Sequence, residues 1–275
     1  TGGIAEGALC YTGDILNPER KKYDLNYYLR LAKDLENAGS HILAVKDMSG
    51  LLKPYAAKIL IEALKDTVKI PIHLHTHDTS SLQAATYLMA IEAGVDVVDC
   101  ALGSVSGLTS QPNLNAVIEM MRFHERENTY DITSLNKFSN YWEAVREYYY
   151  PFESGMKASS SEVFHHEIPG GQYSNLKPQA IALGLGDKFE QIKERYAEVN
   201  ELFGDIVKVT PSSKVVGDLA QYMVANDIRK EDIFTKGNQI SFPDSVVSYF
   251  MGEIGQPEGG FPRELQEIIL KGKKP

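Results

Sequence analysis

The feature that most restricts the fold of this chain is an alternation over its first ~110 residues, in which short apolar runs are each followed by a helix-length amphipathic run, the signature of βα units. Residues 7–11 (GALCY), 42–45 (ILAV), 70–75 and 95–102 (VDVVDCAL) have the length and composition of strands. Between them, 24–38 shows helical periodicity through Leu25, Tyr28, Leu29, Ala32 and Leu35. A second helix is expected over 54–64, with Pro54 near its start, and a third over 81–93, stopped by Gly94. A fourth covers 111–123. The run at 42–45 is unbroken, as a parallel strand buried on both faces requires.

Each strand ends in polar or small residues: Thr12-Gly13-Asp14, Lys46-Asp47-Met48-Ser49-Gly50, His75-Thr76-His77-Asp78 and Gly103-Ser104-Val105-Ser106-Gly107. In parallel α/β folds the chemistry sits at the carboxyl ends of strands. No glycine-rich dinucleotide fingerprint or phosphate loop follows any of them, which favours part of a (β/α)8 barrel over a doubly wound sheet. A full barrel needs eight strands, and four fit before the pattern changes, so the amino-terminal half of the barrel is expected to be absent. Residues 1–125 are assigned to the carboxyl-terminal half of a barrel and 126–275 to a mainly helical subdomain. The subdomain is expected to hold helices at 135–149, 175–183, 188–203 and 214–226, with a loop or cap at Ser159-Ser160-Ser161 and a turn at Pro169-Gly170-Gly171.

Composition excludes some functions. The formal net charge of −9 gives no electrostatic footing on nucleic acid, so no nucleic-acid partner is expected. No run approaches the ~18 apolar residues of a membrane span, so no membrane partner is expected either. The two cysteines, Cys10 and Cys100, lie in strand-like runs and are expected as reduced, buried thiols. No signal peptide is visible, and a start at Thr1 suggests a processed or excised chain.

The strongest local signal is His73-Leu74-His75-Thr76-His77-Asp78. Strand residues two apart point to the same side, so His75 and His77 can present two imidazoles to one divalent ion. The competing reading is a polar strand end with structural histidines. Asp78 is placed to orient a ligand from behind, and His73, further back, is expected to be packed or hydrogen-bonded. His41, His124, His165 and His166 are expected at the surface or in loops. Lys46 directly follows an apolar run. A neutral amine there can attack a carbonyl or take up carbon dioxide as a carbamate, an anionic metal ligand. The alternative is a lysine that snorkels and pairs with Asp47. Thr210-Pro211-Ser212-Ser213-Lys214 has the form of a helix start, which caps its own helix or binds a polar ligand. The loop at 103–107 and the turn at 170–172 are equally open between an ordinary turn and a ligand contact.

Several segments, in order, resemble the pyruvate carboxylase family: AVKDMSGLL (44–52), HLHTHDT (73–79), CALGSVSGLTSQPN (100–113), IPGGQYSNL (168–176) and VKVTPSSKVVGD (207–218). The resemblance runs through essentially the whole chain. Subunits of oxaloacetate decarboxylase and transcarboxylase share the lysine and HTHD motifs, but LGSVSGLTSQPN is closer to pyruvate carboxylase. A metal-dependent aldol or Claisen lyase of the same barrel type, and a folded fragment without turnover, are the other readings.

The resemblance implies a carboxyltransferase that moves the carboxyl group from carboxybiotin to pyruvate, giving oxaloacetate. It implies that Lys46 is carboxylated and ligates a divalent metal, Zn or Mn, together with His75 and His77. Thr210 would shuttle a proton between pyruvate and biotin, and Ser213 would lie near the incoming biotin. The partners implied are pyruvate, a biotin carried on another domain, and further copies of the chain in a homotetramer. The compartment implied is the bacterial cytoplasm or the mitochondrial matrix. The family's aspartate metal ligand, its pyruvate-binding arginine and glutamine, its biotin-attachment signature and its ATP-binding domain have no counterpart in this sequence, so the chain alone is expected to be inactive.

Overall fold

The computed structural model describes residues 2–273, which fall into two compact units, the first running to Val163 and the second starting at Phe164. The sequence places a change of character at 125/126, where the βα pattern stops. The first compact unit continues further, through the long helix that follows.

In the first unit the elements are β1 (Glu6–Cys10), α1 (Leu25–Asn37), β2 (Ile42–Asp47), α2 (Pro54–Thr67), β3 (Ile72–Thr76), α3 (Gln83–Glu92), β4 (Val97–Val98), α4 (Leu114–Met120) and α5 (Ile132–Tyr149). The strands form one parallel sheet in the order β1-β2-β3-β4, so order in space follows order in the chain. A doubly wound sheet reverses that order at a switch point. Successive right-handed crossovers without a reversal keep every helix on the same face, which is the arc of a (β/α)8 barrel.

Side-chain parity then decides what each face carries. Leu9, Leu43, Val45, Ile72 and Leu74 are fully buried and form the helix-covered row. Tyr28 and Ala32 of α1, Leu60, Ile61 and Leu64 of α2, and Tyr87 of α3 likewise have no exposed surface. Their neighbours in sequence point the other way. The register sets Cys10 beside Lys46 and Lys46 beside His75, with His73 beside Ala44 one step earlier. Apart from Asp47 and Thr76, which fall on the helix-covered row, the polar residues of the strands therefore share the inner face of the arc. At the end of β1, the Tyr28 hydroxyl donates to Thr12 O (2.7 Å) and accepts from Thr12 N (2.9 Å), which ties α1 to the strand mouth.

Two elements differ from their sequence outlines. The fourth strand is expected over 95–102, but only Val97–Val98 has ladder pairing. Ala101 bridges to Asn113 instead, and the Asp99 carbonyl is taken by the Tyr87 hydroxyl at 2.5 Å, which turns the chain out of the sheet. Helix α5, started by Asp131 accepting from Thr133 N (3.0 Å), has no buried residue, and Trp142 on it is 41% exposed.

In the second unit every regular element among the described residues is helical. A short turn, α6 (Val163–His166), stands at the division, followed by α7 (Gly170–Ala182), α8 (Phe189–Leu202), α9 (Ser212–Ala225), α10 (Lys230–Lys236), α11 (Asp244–Phe250) and α12 (Arg263–Leu270). Its core is built on Ile192, Tyr196, Val199, Phe203, Val216, Ala220, Met223 and Phe250, none of which is exposed. Pro169-Gly170-Gly171, expected as a turn, instead opens α7, with extended Pro169 as the residue before the first helical turn. His166, expected at the surface, is buried, and its Nδ1 accepts from Ile168 N at 3.0 Å. No helix among the described residues is long and apolar enough to cross a membrane.

Candidate metal centre and the 206–213 segment

Asp47 builds the loop that follows Lys46. It is completely buried, and its Oδ1 accepts from Gly50 N (3.0 Å) and Leu51 N (2.9 Å) while its Oδ2 accepts from Leu52 N (2.9 Å). The Thr76 hydroxyl also donates to Oδ2 at 2.9 Å, so one carboxylate ties the ends of β2 and β3 together. Its oxygens are spent on the loop, and strand parity turns Asp47 away from Lys46. The pairing of the two that the sequence left open is therefore not formed. Gly50 has φ +76°, and a Cβ there would overlap the carbonyl oxygen of His77. Only glycine lets the β2 loop pass this close to the end of β3.

On the inner face the two candidate imidazoles converge. His75 Nε2 and His77 Nε2 are 3.4 Å apart, with the rings edge-on at 83°. The Nδ1 of His75 donates to Asp99 Oδ2 at 2.8 Å, and the Nδ1 of His77 donates to the Thr109 carbonyl at 2.6 Å. Where both rings are neutral with Nδ1 protonated, both Nε2 atoms carry lone pairs, and these face one another. Such a pair is repulsive unless a cation lies between. Two nitrogens bound to one tetrahedral ion at about 2.0–2.1 Å are about 3.3–3.4 Å apart, which matches the observed spacing. The neutral state is favoured further at His77, whose pKa is lowered by burial first and then by the Lys46 charge.

Lys46 completes the group. It is the direct register neighbour of His75, and its charge acts on His77. Among the described residues no three His, Cys, Asp or Glu side chains gather to hold an ion. The donor set is thus two imidazoles with a lysine beside them. An ammonium next to a dication is repulsive, whereas a carbamate on the same nitrogen is an anionic oxygen donor. The donor chemistry fits a divalent ion on that condition.

The carboxylate that orients a histidine is Asp99, which sequence reasoning missed. Asp78, expected in that role, instead accepts from Gln83 N (3.1 Å) near the start of α3. Asp99 carries a signal only in its position, directly after a strand of the sheet. His73 lies between carboxylates, with Nδ1 2.6 Å from Glu6 Oε1 and Nε2 2.9 Å from Asp99 Oδ1, as a packed and hydrogen-bonded residue should. Burial opposes its cation, but the two carboxylates outweigh burial and raise its pKa. Cys10 and Cys100 are free and half-buried. Burial, and secondarily the Asp99 charge, pushes Cys100 up to about 12, which keeps it a thiol.

Thr210 and Ser213 belong to the second unit. Thr210 is exposed, while Ser213 is buried in the first turn of α9, where its carbonyl accepts from the Tyr196 hydroxyl at 3.3 Å. The helix does not start at Thr210 as its sequence suggests: Pro211, after a cis peptide bond, precedes Ser212 as the first helical residue. The Ser212 hydroxyl lies 2.7 Å from both Val207 O and Val209 O, which share its one proton, and accepts from Val209 N (3.1 Å). Buried Lys208 binds Glu167 Oε2 at 2.9 Å and Ile206 O at 3.1 Å. The segment is irregular but fixed along its length by side chains.

Comparison with known proteins matches residues 16–141 to the HMGL-like family and residues 163–275 to the conserved carboxylase domain. The chain is 56% identical over 275 residues to pyruvate carboxylase of Bacillus subtilis, covering all of this chain and 24% of that protein. It is 57% identical over 274 residues to the Staphylococcus aureus enzyme, covering 99% of this chain and again 24% of the relative. The carboxyl transferase domain of Rhizobium etli pyruvate carboxylase, solved with pyruvate and biocytin, superposes with a TM-score of 0.97 at 54% identity, over 99% of this chain and 46% of that one. The chain therefore spans about a quarter of the length of the curated relatives it matches.

Proposed function

We propose, for a chain with the sequence and fold of part of the carboxyltransferase domain of the pyruvate carboxylases, that it provides the metal-binding half of that domain's barrel and transfers a carboxyl group from carboxybiotin to pyruvate. The observation that carries the reading is the pair of Nε2 atoms held 3.4 Å apart beside Lys46, with both Nδ1 atoms engaged elsewhere. His75, His77 and the carbamate of Lys46 would hold the divalent ion, Zn or Mn. Bound there, the ion would supply Lewis acidity toward a carbonyl oxygen of the substrate. Carbamate formation joins the Lys46 nitrogen to the carbon of carbon dioxide and, starting from the ammonium, releases two protons, turning a repelling cation into an anionic donor.

Thr210 supplies proton transfer. Its exposed hydroxyl accepts a proton from the pyruvate methyl group and passes its own to the biotin nitrogen freed of its carboxyl group, while the methyl carbon bonds to carbon dioxide and gives oxaloacetate. A hydroxyl that passes protons between two bound partners needs positioning more than a shifted pKa. The bonds that Lys208 and Ser212 make along the segment support that role. Ser213 we assign to the biotin-proximal side of the same turn. The biotin would arrive on a separate carrier domain, in a homotetrameric assembly of the bacterial cytoplasm or the mitochondrial matrix.

The test is metal content and carboxyl transfer in the full domain that carries these residues, with Lys46→Ala and Thr210→Ala. Lys46→Ala is expected to lose both metal and transfer. Thr210→Ala is expected to keep the metal and lose transfer. Unchanged metal content in Lys46→Ala overturns the reading.

A further inference from the structure

A line of ionisable side chains leads away from His75 across the inner face of the sheet. Asp99 meets two imidazoles: its Oδ2 accepts from His75 Nδ1 at 2.8 Å, and its Oδ1 pairs with His73 Nε2 at 2.9 Å, close enough for an ion pair but without hydrogen-bond alignment. His73 in turn meets Glu6 Oε1 through Nδ1 at 2.6 Å. The participants come from β1, from β3 and from the turn after β4. Glu6 and His73 are not on adjacent strands, since β2 runs between them. The β2 residue in register with His73 is Ala44, whose side chain is small enough for Glu6 to reach across. Both nitrogens of His73 lie against carboxylates, whereas the Nε2 atoms of His75 and His77 face each other.

We propose that Glu6 and His73 are positioning residues for the cation site: they clamp Asp99 in the one orientation that aims His75 Nε2 at His77 Nε2. A carboxylate held at one oxygen swings about its Cβ–Cγ bond, while a carboxylate with an imidazole against each oxygen is restrained. A ligating histidine owes its ring orientation to the acceptor on its other nitrogen, and loss of such an acceptor lowers metal affinity about 10–100-fold. Ala44 is part of the device, because a larger residue there separates Glu6 from His73 without removing either. The inference rests on the reading that His75 and His77 hold a divalent ion.

The experiment titrates Co2+ into the full domain carrying this chain, with affinity measured by chelator competition and ligand geometry by the visible absorption of the bound ion. His73→Phe is expected to weaken Co2+ binding about tenfold and to change the absorption spectrum. Glu6→Gln and Ala44→Leu should each weaken it about threefold, by the same outer-shell effect at one further remove. His73→Gln keeps an N–H donor for Asp99 and is expected to restore affinity to within about threefold of the parent. A merely structural role for His73 would not give that rescue or move the spectrum. Co2+ affinity and spectrum unchanged in both His73→Phe and Ala44→Leu overturn the proposal. A parent domain that takes up no Co2+, or one whose affinity survives His75→Ala, overturns the cation reading and this inference with it.

Discussion

Asp47→Asn should loosen the loop that follows Lys46 from the end of β3, and the cost can be worked out from its four bonds. Two donors converge on each carboxylate oxygen: Gly50 N and Leu51 N on Oδ1, Leu52 N and the Thr76 hydroxyl on Oδ2, all at 2.9–3.0 Å. Asparagine has one accepting oxygen where two are needed. If that oxygen keeps Gly50 and Leu51, the amide nitrogen faces Leu52 N and Thr76. Thr76 can turn its hydroxyl toward Gln83 Oε1 at 3.2 Å, but Leu52 N has no such alternative. One buried unpaired donor costs about 1–3 kcal/mol, and exchanging charge-assisted bonds for neutral ones adds about 1 kcal/mol more. The relief of no longer burying a charge offsets part of this. The net expectation is a loss of about 2 kcal/mol at neutral pH.

The pH dependence has a definite sign. Burial raises the Asp47 pKa more than its hydrogen bonds lower it, so the folded value lies above the unfolded one. Its contribution to stability is therefore greatest below the unfolded-state value and falls as pH rises through the folded value. A protonated carboxyl still has a hydroxyl lone pair for Leu52 N, which an amide nitrogen lacks. Asparagine does not titrate, so the stability gap between parent and variant should narrow from mildly acidic to neutral pH. Urea unfolding followed by far-UV circular dichroism at the two pH values measures both quantities. A gap below about 0.5 kcal/mol at neutral pH, or one that widens as pH rises, would refute the reasoning.

Gly50→Ala combines a positive φ with overlap on the His77 carbonyl, so calorimetry should show a clear loss of stability, on the order of 1–3 kcal/mol. Lys208→Met leaves buried Glu167 without the ammonium now 2.9 Å away and is expected to cost about 3–5 kcal/mol, with much of it recovered in Glu167→Gln/Lys208→Met; equal losses in the single and double variants would argue against a coupled pair. The 275-residue chain by itself, with a four-stranded open sheet, is expected to show no carboxyl transfer, and measurable turnover without added chains would refute that.

What the sequence makes legible is what depends on local period. Apolar runs of strand length alternating with helical periods locate β1, β2 and β3 to within two residues, and polar residues at their ends mark the chemical face. The two-residue spacing in His75-Thr76-His77 is a statement about parity, and parity holds. What stays hidden is set by distant partners. The shortening of β4 depends on the Tyr87 hydroxyl and on Asn113, both well separated from it in sequence. Gly170 and Gly171 look like turn residues because glycine is a poor helix former, yet they begin α7, where extended Pro169 sets up the first turn. His166 is polar in composition but buried, because its ring accepts a backbone N–H two residues on.

The same distinction bears on the metal centre. Spacing can place two imidazoles on one face, but it cannot aim their lone pairs. A strand histidine with a free Nδ1 can present either nitrogen, and the ring is then as well suited to a surface contact as to an ion. Here the aim comes from two acceptors far from the histidines in sequence, the Asp99 carboxylate for His75 and the Thr109 carbonyl for His77. Each consumes one Nδ1–H and so fixes which nitrogen is left over. Asp99 follows β4 and Thr109 lies in the loop beyond it, so both acceptors depend on β4 pairing in parallel with β3. A displacement of β4 by one residue would reverse its parity and take Asp99 off the inner face. The His-x-His pair would survive such a change unaltered in sequence and lose the fixed orientation at His75 that makes it a ligand pair.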